Sequence, residues 1–183
     1  MSAVMTSLRN DHINIALLID LAQDALSDIE ANQATDLELF EDVMKYATGY
    51  PDTHHHPTED VVFEALRAKV PSMRHKIDAA VAEHVAIIDK GQALLDLLRS
   101  IEGEAFVERK QLLAVGYDYL ARLKRHMQME ESELFPAALE HLGVDEWRAI
   151  EQRTAQEVDP LFGPTTDREF ERLWKRIELH KPQ

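Results

Sequence analysis

Apolar residues recur at intervals of three and four along most of the chain, the spacing that lines up one face of an α-helix. Leu8, His12, Ile15, Ala16, Ile19, Ala22 and Leu26 trace a first stripe that ends near Glu30. Asn32 to Thr35 is a polar link, and Thr35 or Asp36 is placed to cap a second helix from Leu37 through Val43, Met44 and Ala47. Gly49-Tyr50-Pro51-Asp52 interrupts it, because proline has no amide donor and turns its predecessor away from helical geometry. A kink or short break is expected there, with helix resuming near His54 and lasting to about Lys69. Pro57 fits only if it lies in the first turn after the break.

Beyond a turn at Val70-Pro71-Ser72, a third stripe comprises Ile77, Ala80, Val81, His84, Ile87, Ile88, Leu94, Leu95 and Leu98. Glu102-Gly103-Glu104 ends it. The fourth and longest helix is expected from about Glu104 to Leu142, with Leu112, Gly116, Tyr119, Leu123, His126, Glu130, Leu134 and Ala137 on one face. Gly143 stops that helix, Asp145 can cap a short one over Glu146 to Gln156, and Phe170, Leu173, Trp174 and Ile177 mark a last one. The pattern predicts an all-α fold: an up-down-up-down four-helix bundle over residues 1–142, with a C-terminal helical extension, residues 143–183, packed on it. Trp147 and Trp174 are expected to pack that extension against the bundle.

A length of 183 residues suits one domain with a substantial core. The net charge of −14 argues against a protein that tracks nucleic-acid phosphates. Cysteine is absent, which removes disulfides, thiolate nucleophiles and Cys-ligated zinc, and leaves histidine and carboxylate as the metal-binding chemistry. The stretch from Met1 to Asp11 has no apolar core of the signal-peptide kind, and no apolar run approaches membrane-spanning length. A cytoplasmic protein with no membrane or nucleic-acid partner is expected.

Two motifs of one form stand on these stripes: His55-x-x-x-Glu59 and His126-x-x-x-Glu130. Residues four apart point the same way on a helix, so each motif aims a nitrogen and an oxygen donor toward the core. His12 and His84 face the core on the other two helices. His12 and His84 fall early in odd helices and the motifs fall late in even ones, so an antiparallel bundle brings all six residues into one layer. Any one of them alone is better read as a satisfied core histidine or a solvated glutamate. Together they imply a metal cluster, because buried carboxylates and imidazoles are costly without partners. His56 points about 100° from His55, although the preceding break could bring it closer, and Glu131 lies about 140° from His126 on an ideal helix; His55 and Glu130 are preferred. His75, His141 and His180 read as surface residues, and Tyr119 as core or as a phenol donating to something at the metals.

These residues resemble the hemerythrin family, specifically its bacterial branch of HHE cation-binding proteins. The resemblance rests on Asp11-His12, on His55-His56-Pro57-Thr58-Glu59-Asp60, on Glu83-His84, and on His126-Met127-Gln128-Met129-Glu130-Glu131 with the following Leu134-Phe135-Pro136. It covers roughly Leu8 to Leu142. It implies a four-helix bundle with two non-haem iron ions bridged by two carboxylates and an oxo or hydroxo group. His12, His55, His84 and His126 would be terminal ligands and Glu59 and Glu130 the bridges, with zinc as a possible substitute metal. Oxygen-carrying relatives have two histidines one turn apart in the third helix, whereas Ala80 and Ile88 flank His84 here. They also place the fourth-helix carboxylate at i+5, not i+4. The expected function is to bind or sense a small ligand (oxygen, nitric oxide or peroxide). The alternatives are a redox enzyme turning over peroxide or nitric oxide, and iron storage or donation. The sequence does not choose between binder and enzyme.

Overall fold

The computed structural model describes residues 2–154 and 158–180. Among them the chain is helical and contains no strand. Helix α1 is Ala3–Glu30, α2 Leu37–Ala47, α3 His56–Lys69, α4 Arg74–Glu102, α5 Arg109–Met129, α6 Phe135–His141, α7 Val144–Arg153 and α8 Glu171–His180. Helix α1 packs on α2 and α5, and α4 packs on the same two helices, which encloses a core.

The expected short break is present at Thr48 and Gly49, after the end of α2 at Ala47, and helical backbone resumes at Tyr50, sooner than the sequence suggests. After Gly49 the backbone closes a π-helical turn over Pro51–His55 and enters α3 directly, with Pro57 in its first turn. A second π turn, Glu130–Leu134, joins α5 to α6. Such turns insert an extra residue into a helix and cluster at functional sites. Here one ends at a histidine of the first His-x-x-x-Glu motif and the other begins at the glutamate of the second. The inserted residue also shifts the apolar register, so that Phe135 and Ala138 are buried while Ala137 is only partly covered. Ala16 likewise turns out to be exposed, and Leu18 takes its place in the core.

The link after α4 is longer than the sequence suggests. Glu104 adopts φ 60°, which stops the helix, and α5 begins only at Arg109. Asp36 caps α2 by accepting from the Leu39 amide at 2.9 Å. For α7 the cap differs from expectation: the Glu146 side chain accepts from the Gly143 amide at 2.9 Å, and Asp145 takes no part in that cap. The expected end of that helix at Gln156 lies outside the described residues, as does the side chain of His180.

Two apolar clusters lie on either side of the polar layer. One gathers Ile15 to Leu26, Phe40 to Tyr46, Ile87 to Leu98 and Leu112 to Leu123. The other gathers Val4 to Leu8, Val62 to Leu66, Ile77, Ala80 and Leu134 to Leu142. Gly116 lets α1 approach α5, since a β-carbon there would sit 2.7 Å from Leu26. Residues beyond 142 cover both clusters. Ile150 enters the second, with Trp147 against it, whereas Leu161, Phe170, Leu173 and Ile177 enter the first, with Trp174 alongside. Tyr46 donates to Asp159 at 2.8 Å, and Arg172 grips Asp42 at 2.6 Å, tying this segment to α2.

Candidate metal centre

All six residues singled out in the sequence are buried in one layer, and Glu59 and Glu130 are completely inaccessible. The two carboxylates occupy the middle. His55 Nε2 stands 3.2 Å from Glu59, His126 Nε2 3.0 Å from Glu130, and His12 Nε2 3.4 and 3.5 Å from Glu59 and Glu130. His84 Nε2 lies 3.3 Å from Glu59 and 3.4 Å from Glu130. Each glutamate therefore faces histidines from several helices, the placement a bridging ligand requires.

The outward nitrogens have their own carboxylates. His12 Nδ1 lies 3.0 Å from Glu131, His55 Nδ1 3.2 Å from Asp11, and His84 Nδ1 3.0 Å from Asp60. A carboxylate only accepts, so each Nδ1 carries a proton, and a metal that displaced the second proton, on Nε2, would meet an inward-facing lone pair. This carboxylate–imidazole arrangement orients ligands in metal sites and raises their basicity. Nδ1 of His126 is buried with no such partner among the described residues.

His56 is the residue that sequence reasoning undervalued. It is only 4% exposed, stacks on His84 with ring centroids 4.5 Å apart, and turns Nδ1 to within 3.3 Å of Asp52. Donor atoms of His56, Glu59, His84 and His126 all lie within 4.8 Å of one another, and those of His12, His55 and Glu59 form a second such group. The signal was present as an i+3 relation. On a helix His55 lies about 40° to one side of Glu59 and His56 about 60° to the other, so the pair flanks the carboxylate. The outer carboxylates of Asp11, Asp52 and Asp60 went unrecognised because they serve rings on other helices or across the π turn.

Glu131 is not a rival to Glu130. It is more than a third exposed and meets the outer face of His12 while pairing with Arg9 at 3.2 Å. His75 and His141 are exposed, as expected. Tyr119 is core: its ring lies against Gly91, where a β-carbon would meet it at 3.1 Å, and burial raises its phenol pKa. One turn from His12 and His126, Ile15 and Leu123 help line a wholly apolar cavity of about 10 Å³.

The electrostatics describe a site that needs cations. Burial opposes protonation of His12, but Glu130 and Glu59 outweigh it and push the pKa up to about 10. The same contest raises His55 to about 9, through Glu59 and Asp11, and His84 to about 11, through Asp60, Glu130 and Glu59. Glu130, pushed up by burial and by the charge of Glu59, is nevertheless lowered to about 2 by His12, His126 and His84. Glu59 is held well below its ordinary value against burial, chiefly by the charge of His55 and by contacts from His12, His55 and His84. Burial lowers His56, and Asp52 does not offset it. Protons thus supply the positive charge that two buried carboxylates demand.

Protons do not satisfy the geometry. His12 Nε2, His126 Nε2, both oxygens of Glu59 and one of Glu130 remain buried without an aligned hydrogen bond. They are close together yet do not point at one another. Ligand atoms about 2.1 Å from one ion stand roughly 3–4 Å apart, the separations found here. An all-nitrogen and carboxylate donor set suits iron and also admits zinc. The residues fit a metal.

Residues 4–138 match the hemerythrin HHE cation-binding domain. The chain belongs to that family. The matched span includes every residue of the layer, so the hemerythrin fold and its cation-binding role account for the buried cluster. No curated protein matches the chain by sequence similarity. No helix among the described residues is long and apolar enough to cross a membrane.

Proposed function

We propose that this hemerythrin-domain protein holds two iron ions and binds a small ligand such as oxygen, nitric oxide or peroxide at positions the side chains leave free. His12, His55, His84 and His126 would be terminal ligands, and Glu59 and Glu130 would be shared between the ions. The observation that carries this reading is the pair of inaccessible glutamates, each facing imidazoles from several helices with oxygens left unsatisfied. When bound, the metals would supply Lewis acidity and redox chemistry. The chain aims the Nε2 lone pairs, holds the Nδ1 protons on Glu131, Asp11 and Asp60, and excludes bulk water through the two flanking apolar clusters. The small apolar cavity beside the layer favours a neutral diatomic ligand over a large one.

The arrangement we infer is an up-down-up-down bundle over residues 1–142 with residues 143–183 as an extension packed on it. The mutual packing of α1, α2, α4 and α5 supports it. Metal analysis combined with optical spectra in oxygen, nitric oxide, azide and peroxide tests the functional reading. Two irons per chain and ligand-dependent charge-transfer bands are expected. A single metal after iron reconstitution, or spectra indifferent to every ligand, would defeat it. Sustained peroxide or nitric oxide consumption would move the protein to the redox-enzyme class.

A further inference from the structure

A file of aromatic rings starts beside the metal layer and leads away from it. His54, the neighbour of His55, stacks on Tyr50 with ring centroids 5.2 Å apart. Tyr50 lies 6.1 Å from Tyr46, Tyr46 5.7 Å from Phe162, and Phe162 6.1 Å from Trp174. The chain has only four tyrosines and two tryptophans, and this file takes two of the former and one of the latter. Tyr46 is buried, whereas Trp174 is partly exposed. The file thus runs from the centre toward the surface, and its outer end lies beyond the residues that match the hemerythrin domain. Packing accounts for Phe162. It does not account for the Tyr46 hydroxyl, a buried polar group that phenylalanine would not have to satisfy. That hydroxyl donates to Asp159 Oδ2 at 2.8 Å, while Asp159 Oδ1 accepts from the Leu161 and Phe162 amides, each at 2.8 Å. The carboxylate is fixed by those amides with its other oxygen aimed at the phenol. Burial and the charge of Asp159 keep the phenol protonated at rest, and the charge of Asp11, the carboxylate behind His55, adds to the effect.

Resting on the two-iron reading, we propose that Tyr46 is a redox-active residue that passes single electrons to the centre when peroxide is the ligand. Asp159 takes its proton, and a one-electron donor of the ascorbate class restores the ring by way of Trp174. A phenol that loses an electron becomes a strong acid, so its oxidation needs a base at the hydroxyl, and Asp159 stands there. Rings in close succession hand an electron on in short steps, which a single long transfer through aliphatic core would not match. In each transfer one electron leaves the Tyr46 ring and the O–H bond breaks, its proton going to Asp159 Oδ2. The donor, which is oxidised, returns the electron through Trp174, and Asp159 returns the proton. Two transfers and two protons from solvent reduce one peroxide: its O–O bond breaks, two O–H bonds form, and two water molecules result. The C-terminal segment thereby supplies the base and the outer end of the file.

Two experiments on the full chain test this. In the first, iron-loaded protein of measured metal content is reduced, mixed with hydrogen peroxide and freeze-quenched for EPR. A tyrosyl signal is expected that changes with ring-deuterated tyrosine, disappears in Tyr46→Phe and persists in Tyr117→Phe. In wild type the radical oxygen should carry an exchangeable hydrogen-bonded proton, a readout that needs no variant to fold. Asp159→Asn should slow formation of the radical by about 100-fold. Trp174→Phe should leave its formation in place and slow its quenching by ascorbate. In the second experiment the protein holds zinc, which takes no part in redox chemistry, and a photo-excited ruthenium complex is the oxidant. Transient absorbance should show a tyrosyl radical that is again lost in Tyr46→Phe. A two-iron protein that gives no tyrosyl radical with peroxide would overturn the proposal. So would a signal that survives Tyr46→Phe in either experiment, or no radical in the zinc-loaded protein. Fewer than two irons in wild type would overturn the two-iron reading instead, and the zinc experiment then decides the role of Tyr46 by itself.

Discussion

The two sides of the centre are built from the same motif and differ in what stands beside it. At Glu59 the residues three and four positions back are both histidines, His56 and His55, one on each side. At Glu130 the corresponding residues are Met127 and His126, so only one side gains a nitrogen. Met127 instead packs against the larger apolar cluster and borders a groove with Ala16 and Ile19 of α1. Outer carboxylates differ as well. His12 leans on Glu131, which is partly exposed and shared with Arg9, whereas His55 leans on the buried Asp11. One repeated spacing therefore yields two unequal groups of donors, and the inequality comes from single neighbouring residues.

The largest effect is expected where the two sides are joined. Glu59 belongs to both groups of donors, so Glu59→Ala should abolish binding of both metals. Metal analysis after iron reconstitution checks it. One tightly held ion in this variant would mean that the sides are independent and the glutamate is not shared.

Removing the metals should come next. Chelation leaves a buried layer of donors that are poor substitutes for leucine and valine, so the melting temperature should fall markedly. The metal-free protein should also acquire a distinctive pH profile. His12, His55 and His84 have folded pKa values of about 10, 9 and 11, above the ordinary 6.5. Their contribution is fully present below pH 6.5 and is lost as pH rises through about 9 to 11. Glu130 and Glu59, with lowered pKa values, contribute above about pH 4.5 and lose that contribution as pH falls toward 2. Metal-free protein should therefore be most stable between about pH 4.5 and 6.5 and weaken on the alkaline side. Metal-loaded protein should lack that alkaline decline, because its imidazoles are neutral already. Thermal melts of both forms from pH 4 to 11 decide this. Identical melting temperatures for the two forms would show that the layer is satisfied without metal.

Smaller changes should discriminate between the sides. Glu131→Gln removes the charge behind His12 and should weaken binding at His12 and His55 by about 10–100-fold, while Asp60→Asn should do the same behind His84 in the other group of donors. Stepwise metal titration of the two variants separates them. Equal effects on both steps would break the distinction between the sides. The mildest expected change is a gain. Met127→His places an imidazole at the position relative to Glu130 that His56 holds relative to Glu59, so metal binding should tighten several-fold. Unchanged binding would mean that residue 127 turns away from the ions.

Much of this protein was legible before its structure. The stripes through Leu8, Ile15, Leu94 and Leu123 identified their helices, because a period of three to four residues admits one reading when sustained over many turns. The repeated motif exposed the centre for the same reason: a spacing of four fixes a common direction. Irregular backbone was harder to read. The short break at Thr48 and Gly49 was legible from Gly49-Tyr50-Pro51, but the π turn over Pro51–His55 that follows it was not, and the second π turn carries no proline within it to announce it. Glu104 in a left-handed conformation delayed α5 by several residues.

The amino-acid sequence alone determined that the chain is helical, that six donors face the core, and that they belong to the hemerythrin pattern. These follow from local periodicity and from the scarcity of reasons to bury a carboxylate. Tertiary structure decided the rest. Which carboxylate sits behind which ring and whether His56 faces solvent or the centre depend on the angles at which helices meet, and Ala137 yields its place to Ala138 through the residue that a π turn inserts. A π turn or a close glycine contact changes those angles, and no spacing along the chain records them.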